Sequence, residues 1–169
     1  MSAALRGGFL SDGEFMSFVD NLGLAPADDI SATMPLINSA GEIVASKDGL
    51  EGYIEFWGPE AEPVRKFRKE MQRHFYTKEK REQAKSKKRF TEADADRELE
   101  EYEAFSFDGL ALRVKSWRLV SSDGEVIDVE PTFENARSLF SAPAYGYLRD
   151  EVTRFLNEPE NFFPKNADS

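Results

Sequence analysis

Residues 105–163 read FSFDGLALRVKSWRLVSSDGEVIDVEPTFENARSLFSAPAYGYLRDEVTRFLNEPENFF, and this stretch decides the fold. It joins apolar segments, a turn signal, two short amphipathic helices and a terminal pair of phenylalanines in one continuous pattern. It is the smallest part of the chain that could enclose a hydrophobic core. Its residues form no catalytic constellation, so the block indicates a core and not an active site.

The middle of this block predicts a β-hairpin. Asp123 and Gly124 stand between the apolar pairs at 119–120 and 126–127. Asp-Gly flanked by apolar residues is the strongest short-range signal for a hairpin turn.

The segment before that turn has an ambiguous period. Its apolar residues Phe107, Leu110, Val114 and Trp117 fit a helix, although alternate residues from Leu110 to Val114 also fit a strand. Gly109 costs a helix only about 1 kcal/mol relative to alanine. We therefore expect a helix here.

Two amphipathic helices are predicted after the hairpin. Thr132 is placed to cap the first helix. The second extends from about Tyr145 to Asn157 and ends before Pro159. The apolar face of the first is Phe133, Ala136, Leu139 and Phe140, and that of the second is Leu148, Val152, Phe155 and Leu156.

The N-terminal third combines one helix with short strands. Apolar residues recur at helical spacing between residues 11 and 23, which predicts a helix. Strands are predicted over residues 34–37, 43–44 and 52–57, and Pro35 marks the first as an edge strand. We expect a small antiparallel sheet.

The central segment carries opposite charges in two adjacent blocks. Residues 65–89 contain twelve lysines and arginines and three glutamates, whereas residues 92–103 contain seven acidic residues and one arginine. An amphipathic helix is expected from about Pro63, and beyond Thr77 it becomes an exposed helical arm or a disordered segment. A second helix is expected after Thr91, its N-cap, and an antiparallel arrangement would place the two charge blocks opposite each other.

The second charged helix also carries a narrow apolar stripe. Ala95, Leu99, Tyr102 and Ser106 share one face, which Phe105 borders.

These patterns predict a predominantly helical α+β fold. A small N-terminal antiparallel sheet would pack with a C-terminal helical core, beside a charged helical excursion. The expected divisions are residues 1–57 for the N-terminal helix and sheet, 58–104 for the charged helices and 105–169 for the helical core, all within one compact domain.

Composition excludes several classes of protein. The length of 169 residues suits one domain, and the absence of cysteine excludes disulfides and thiolate chemistry. No apolar run approaches the roughly 20 residues that span a bilayer, and the N-terminus lacks the apolar core of a signal peptide. We expect a cytoplasmic protein that does not bind membranes.

The residues offer little for catalysis. His74 is the single histidine, so neither a two-histidine zinc site nor an ordinary catalytic triad can be built. Asp94 and Asp96 are spaced i, i+2 and would point to different faces of a helix. No glycine-rich phosphate-binding loop occurs. The sequence predicts no metal, no cofactor and no enzymatic activity.

The order of several short motifs resembles the tail assembly chaperones of long-tailed bacteriophages and prophages. The resemblance covers roughly residues 53–163. It departs from the family pattern at Glu60-Ala61 and at residues 158–160. The motifs are FWGP at 56–59 with VRKFR at 64–68, Trp117 before the Asp-Gly turn, PTFENA at 131–136, and the final helix ending in NF at 161–162.

The resemblance implies a chaperone that acts in the host bacterial cytoplasm during tail morphogenesis. It would bind the tape measure protein, help recruit the tail tube protein, and be absent from the finished virion. Exposed apolar helix faces beside strong net charge suit such a role. The expected partner-binding residues are Trp117, Phe133, Phe140, Phe155, Phe162 and Phe163.

Other interpretations remain open. The same aromatic residues would be buried if they only form the core. The basic stretch 65–89 could bind nucleic acid, although the acidic block beside it would compete for the same cations. A structural tail or connector subunit of the virion is a further alternative, and self-association is left open.

Overall fold

The computed structural model describes residues 29–84 and 90–163. Helices predominate in these residues and four strands form an antiparallel sheet, so the α+β prediction is confirmed. The predicted helix over residues 11–23 lies outside the described residues. The elements are β1 (Ser31–Pro35), β2 (Tyr53–Trp57), α1 (Glu62–Ala84), α2 (Glu92–Leu112), β3 (Val114–Val120), β4 (Val126–Ile127), α3 (Phe133–Ser141) and α4 (Gly146–Asn157), with 3-10 turns at Pro143–Tyr145 and Pro159–Asn161.

The sheet has the strand order β1-β2-β3-β4, and the predicted edge position of Pro35 in β1 is confirmed. Alternate residues of β2 point to opposite faces, which places Ile54 and Phe56 in the core with no exposed surface. The register between β2 and β3 shifts after Glu55. Residues 36–52 form no further full strand. They contain only isolated β-bridges, such as the one between Ile37 and Ile43.

The expected helix through Trp117 is wrong beyond Leu112. α2 ends there, and Val114 begins a strand whose residues 114–118 pair with β2. The segment 114–120 contains two valines and a tryptophan, which favour a pleated surface. Pairing with β2 satisfies the backbone groups of both strands, so the tertiary contact decides between the two periods.

The predicted Asp-Gly hairpin is confirmed. Leu119 pairs with Ile127 and Val120 with Val126, and the turn between them carries Gly124 at a φ of 75°. Positive φ at the turn explains why glycine stands there.

The C-terminal helices pack onto one face of the sheet, as expected. The Thr132 hydroxyl accepts a hydrogen bond from the Asn135 amide at 3.2 Å and so caps α3. One buried cluster joins both layers, and its members are Ala32, Met34, Ile54, Phe56, Ala111, Val114, Ala136, Phe140, Leu148, Val152 and Phe162.

The charged segment folds into an antiparallel pair of helices, α1 and α2, which we call the hairpin. Its direction follows from two contacts: the rings of Phe75 and Phe105 lie 5.7 Å apart, and Lys78 Nζ lies 2.5 Å from Glu101 Oε2. The predicted Thr91 cap is confirmed as a full capping box with Asp94. In the described part of the chain, no helix is both long and apolar enough to cross a membrane.

Candidate partner-binding surface

The structure places four of the six expected partner-binding residues in or against the core. Phe140 and Phe162 are buried, and Trp117 and Phe155 are partly buried and packed against the same cluster. The rings of Phe155 and Phe162 have centroids 6.1 Å apart. Contacts of this kind stabilise the fold and leave these rings little free surface for a partner.

The only polar group of the Trp117 side chain is hydrogen-bonded inside the protein. Its indole Nε1–H donates to the Val129 carbonyl at 2.7 Å, which fixes the segment between β4 and α3. By contrast, the side chains of Phe133 and Phe163 are exposed. Of the six expected partner-binding residues, only Phe133 on α3 and Phe163, which lies beyond α4, therefore have exposed side chains.

A larger exposed apolar surface lies on the hairpin. It borders an open depression of about 620 Å³ between α1 and α2. We call this surface the hairpin groove, and its apolar residues are Phe75, Phe90, Ala95, Leu99 and Tyr102. Leu99 is 68% exposed and Tyr102 is 69% exposed, which is far more than core residues of these types show.

The groove is open because the two helices do not match in composition. After Tyr76, the described part of α1 contains no large apolar residue, since it reads TKEKREQA to Ala84. Beyond Tyr76, the described part of α1 therefore offers the stripe through Leu99 and Tyr102 no large apolar counterpart, and Phe75 is the apolar residue that α1 contributes to the groove. The spacing of these residues predicts the stripe, but the spacing alone does not show whether α1 covers it.

The rim of the hairpin groove is charged. Lys78 and Glu79 border it on α1 and Glu98 on α2. Charged side chains around an exposed apolar patch keep such a surface in solution while leaving the patch accessible.

Glu101 connects the hairpin's helices. Its carboxylate accepts hydrogen bonds from Lys78 at 2.5 Å and lies 2.7 Å from His74 Nε2. The hydrogen bond from Lys78 is the main cause that lowers the pKa of Glu101 below its ordinary value. The same bond raises the pKa of Lys78. His74 is also in ring contact with Phe105 at 4.9 Å and so adds a second contact between α1 and α2.

The basic stretch is partly neutralised in the folded chain. Lys66 pairs with Glu62 at 2.6 Å, Arg68 with Glu60 at 3.2 Å, and Lys78 with acidic residues of α2. A phosphate backbone approaching these cations would meet carboxylates at the same place, which opposes binding.

One polar cluster on the sheet has the residue types of a serine–lysine site. Lys115 Nζ donates to Ser31 Oγ at 3.2 Å and to Glu55 Oε1 at 3.0 Å, while Ser31 Oγ itself donates to Glu55 at 2.6 Å. In this arrangement the serine hydroxyl is directed at the Glu55 carboxylate and not at the lysine. The cluster ties β1, β2 and β3 together.

Metal ligation is not supported by the described residues, because within 29–84 and 90–163 no three histidine or carboxylate side chains converge. Of the acidic residues of α2, Asp94 caps the helix and Glu98 pairs with Lys78 of α1.

The sequence matches no protein-family model, and neither a curated protein nor a solved structure shows significant similarity to it. The fold and the surfaces described above are therefore the basis of the functional argument.

Proposed function

We propose that this protein binds another polypeptide and that the hairpin groove receives an apolar helical segment of that partner. The observation that carries the proposal is the exposed stripe of Leu99 and Tyr102 on α2, which the described part of α1 beyond Tyr76 does not cover with any large apolar residue.

A helix is the partner segment that this shape favours. An amphipathic helix can lie in a groove between two helices and insert side chains spaced three, four or seven residues apart. The groove offers apolar side chains from both of its walls, Phe75 on α1 and Leu99 on α2, and is open to solvent along its length. A partner that inserted only one side chain, unlike a helix, would leave most of this surface uncovered.

The charged rim suits a reversible contact. Both signs of charge border the groove, so the partner helix can be oriented by its own polar face while its apolar face is buried. Such an interface releases its partner when a better-packed contact becomes available, which is what a chaperone requires.

The resemblance to tail assembly chaperones gives the proposal its specific form. The partner would be the tape measure protein, whose long helices would otherwise aggregate, and the tail tube protein would be recruited afterwards. The site of action would be the cytoplasm of the host bacterium. In this form the protein has no catalytic role.

Co-expression tests the proposal. The long coiled-coil protein expected to be encoded beside this chain would be produced alone, with the unaltered chain, and with the double variant Leu99→Ser/Tyr102→Ser. The matched control is Ile43→Ser/Tyr145→Ser, because Ile43 and Tyr145 are also exposed but lie outside the groove. We expect the unaltered chain and the control to keep the partner soluble and the groove variant to lose that effect. A partner that stays insoluble with the unaltered chain, or equal loss in both variants, would contradict the proposal.

A further inference from the structure

A second cavity lies at the base of the hairpin, where α1 and α2 meet α4. We call it the basal pocket, and its volume is about 260 Å³. Its walls are largely apolar and come from Phe67, Met71, Phe75, Phe105, Leu110 and Leu156. The volume lies slightly below the range of about 300 to 1,000 Å³ that is typical of small-molecule sites, so the pocket suits a small ligand and not a folded segment.

One cation borders these apolar walls. Arg113 follows the last residue of α2, and its Nε and Nη2 donate to the Trp57 carbonyl at 3.4 Å and 3.2 Å. Its guanidinium carbon lies 5.2 Å from the centroid of the Phe162 ring. Among residues 29–84 and 90–163, no carboxylate lies within ion-pair distance of Arg113.

This isolation is electrostatically costly. Burial is the main cause that lowers the pKa of Arg113 to about 10, and the positive charge of Arg68 acts in the same direction. The C-terminal end of α2 favours a cation at this position, and the Trp57 carbonyl accepts two of its hydrogen bonds. Neither group supplies the negative charge that a partly buried guanidinium would otherwise attract.

We propose that the basal pocket binds a small molecule consisting of an apolar chain with a terminal carboxylate, and that Arg113 anchors the carboxylate. The planar guanidinium matches a carboxylate in geometry. The single positive charge of the guanidinium also matches the single negative charge of a carboxylate. The apolar chain would lie against Met71 and Leu156. The basal pocket shares Phe75 with the hairpin groove, but the proposed ligand needs no partner in the groove, and its binding goes beyond the proposed function.

Decanoate, used below its micellisation concentration, is the probe, and decan-1-ol is its uncharged counterpart. Titrations followed by the ¹³C-methyl signals of methionine report where each binds. Met71 lines the pocket, whereas Met34 is buried in the core and serves as the internal control. We expect decanoate to shift the Met71 signal in a saturable manner, to leave the Met34 signal in place, and to bind about tenfold or more tightly than decan-1-ol, because a charged hydrogen bond is added.

The role of Arg113 is tested with Arg113→Met and the matched control Arg118→Met. Arg118 also donates to a backbone carbonyl and stacks on a ring, that of Tyr53, but it does not line the pocket. We expect Arg113→Met to reduce decanoate binding to the level of decan-1-ol, and Arg118→Met to leave the binding unchanged.

Three results would overturn the proposal: no saturable shift of Met71, equal binding of decanoate and decan-1-ol to the unaltered chain, or unchanged decanoate binding by a folded Arg113→Met protein. The comparison of the two probes on the unaltered chain needs no variant, so it decides the question even if Arg113→Met does not fold.

Discussion

The rings of Phe75 and Phe105 lie 5.7 Å apart and join the two helices of the hairpin at the point where apolar packing between them gives way to charge. On the body side of this contact, α2 meets the core through Ala111 and Leu110. On the far side, α1 presents polar residues and the stripe of α2 is exposed. The hairpin therefore divides into an anchored half and a half whose apolar surface is available.

The first prediction separates core from surface among the expected partner-binding residues. Phe140→Ala should lower the free energy of unfolding by about 3 to 5 kcal/mol, because the ring is fully buried. Phe133→Ala should change it by less than about 1 kcal/mol, because that side chain is exposed. Urea unfolding followed by circular dichroism measures both, and similar losses in the two variants would show that the burial is assigned incorrectly.

The second prediction concerns acid and the sheet. Burial, the largest effect on Glu55, raises its pKa, but hydrogen bonds from Ser31, Ser116 and Lys115 together lower it below the ordinary 4.5. Because the pKa of Glu55 is lower in the folded protein than its ordinary value, the ionised carboxylate stabilises the sheet above pH 4.5. This stabilisation is lost as the pH falls through the lower pKa of the folded protein.

Glu55→Gln should therefore destabilise the protein at pH 7 and flatten the loss of stability in acid. The control is Glu125→Gln, because Glu125 forms an exposed pair with Lys47 at 2.8 Å and should contribute little. Urea midpoints measured between pH 7 and pH 3 provide the test. Identical pH profiles for the unaltered chain and Glu55→Gln would contradict the assignment.

The third prediction concerns acid and the hairpin. Because Lys78 lowers the pKa of Glu101 below 4.5, its link between α1 and α2 should hold above that pH and weaken as the carboxylate is protonated below it. Glu101→Gln removes the charge of this carboxylate at neutral pH. Amide hydrogen exchange in residues 92–104 should therefore be faster in Glu101→Gln than in the control Glu100→Gln. If exchange is equally fast in both variants, Glu101 does not hold the helices together.

The fourth prediction tests the hairpin turn between β3 and β4. Gly124→Ala should lower stability by about 1 to 2 kcal/mol, because φ is positive and the added Cβ would lie 3.0 Å from Lys47 Cγ. Gly146→Ala is the control, since its φ of −53° suits alanine and its nearest atom is the flexible end of Arg149. Thermal melts of both variants measure the difference, and an equal shift would argue against strain at Gly124.

Local signals in the sequence predicted much of this fold. The Asp-Gly turn, the Thr91 and Thr132 caps and the stripe on α4 each depend on neighbours within a few residues, and all are confirmed. The strand from Val114 could not be predicted in the same way, because its choice between two periods depends on pairing with β2, which is distant in sequence.

The candidate site was harder to predict for a similar reason. A helical stripe such as Ala95, Leu99 and Tyr102 has the same spacing whether a neighbour covers it or not. Exposure depends on the residues of α1 that lie opposite, and it appears only when the register of the two helices is known. The pattern at Phe140 and Phe162 was equally ambiguous, with the opposite outcome. Both rings were expected to bind a partner, but they are buried.

The central claim is that the hairpin groove captures an apolar helix, and a binding isotherm tests it most directly. A helical segment of the tape measure protein would be titrated into the unaltered chain and into Leu99→Ser/Tyr102→Ser, each at a low and a high salt concentration. We expect binding that changes little with salt and falls about tenfold or more in the variant, because burial of two large side chains carries it. Binding that weakens steeply with salt and is unaffected by the variant would contradict the account.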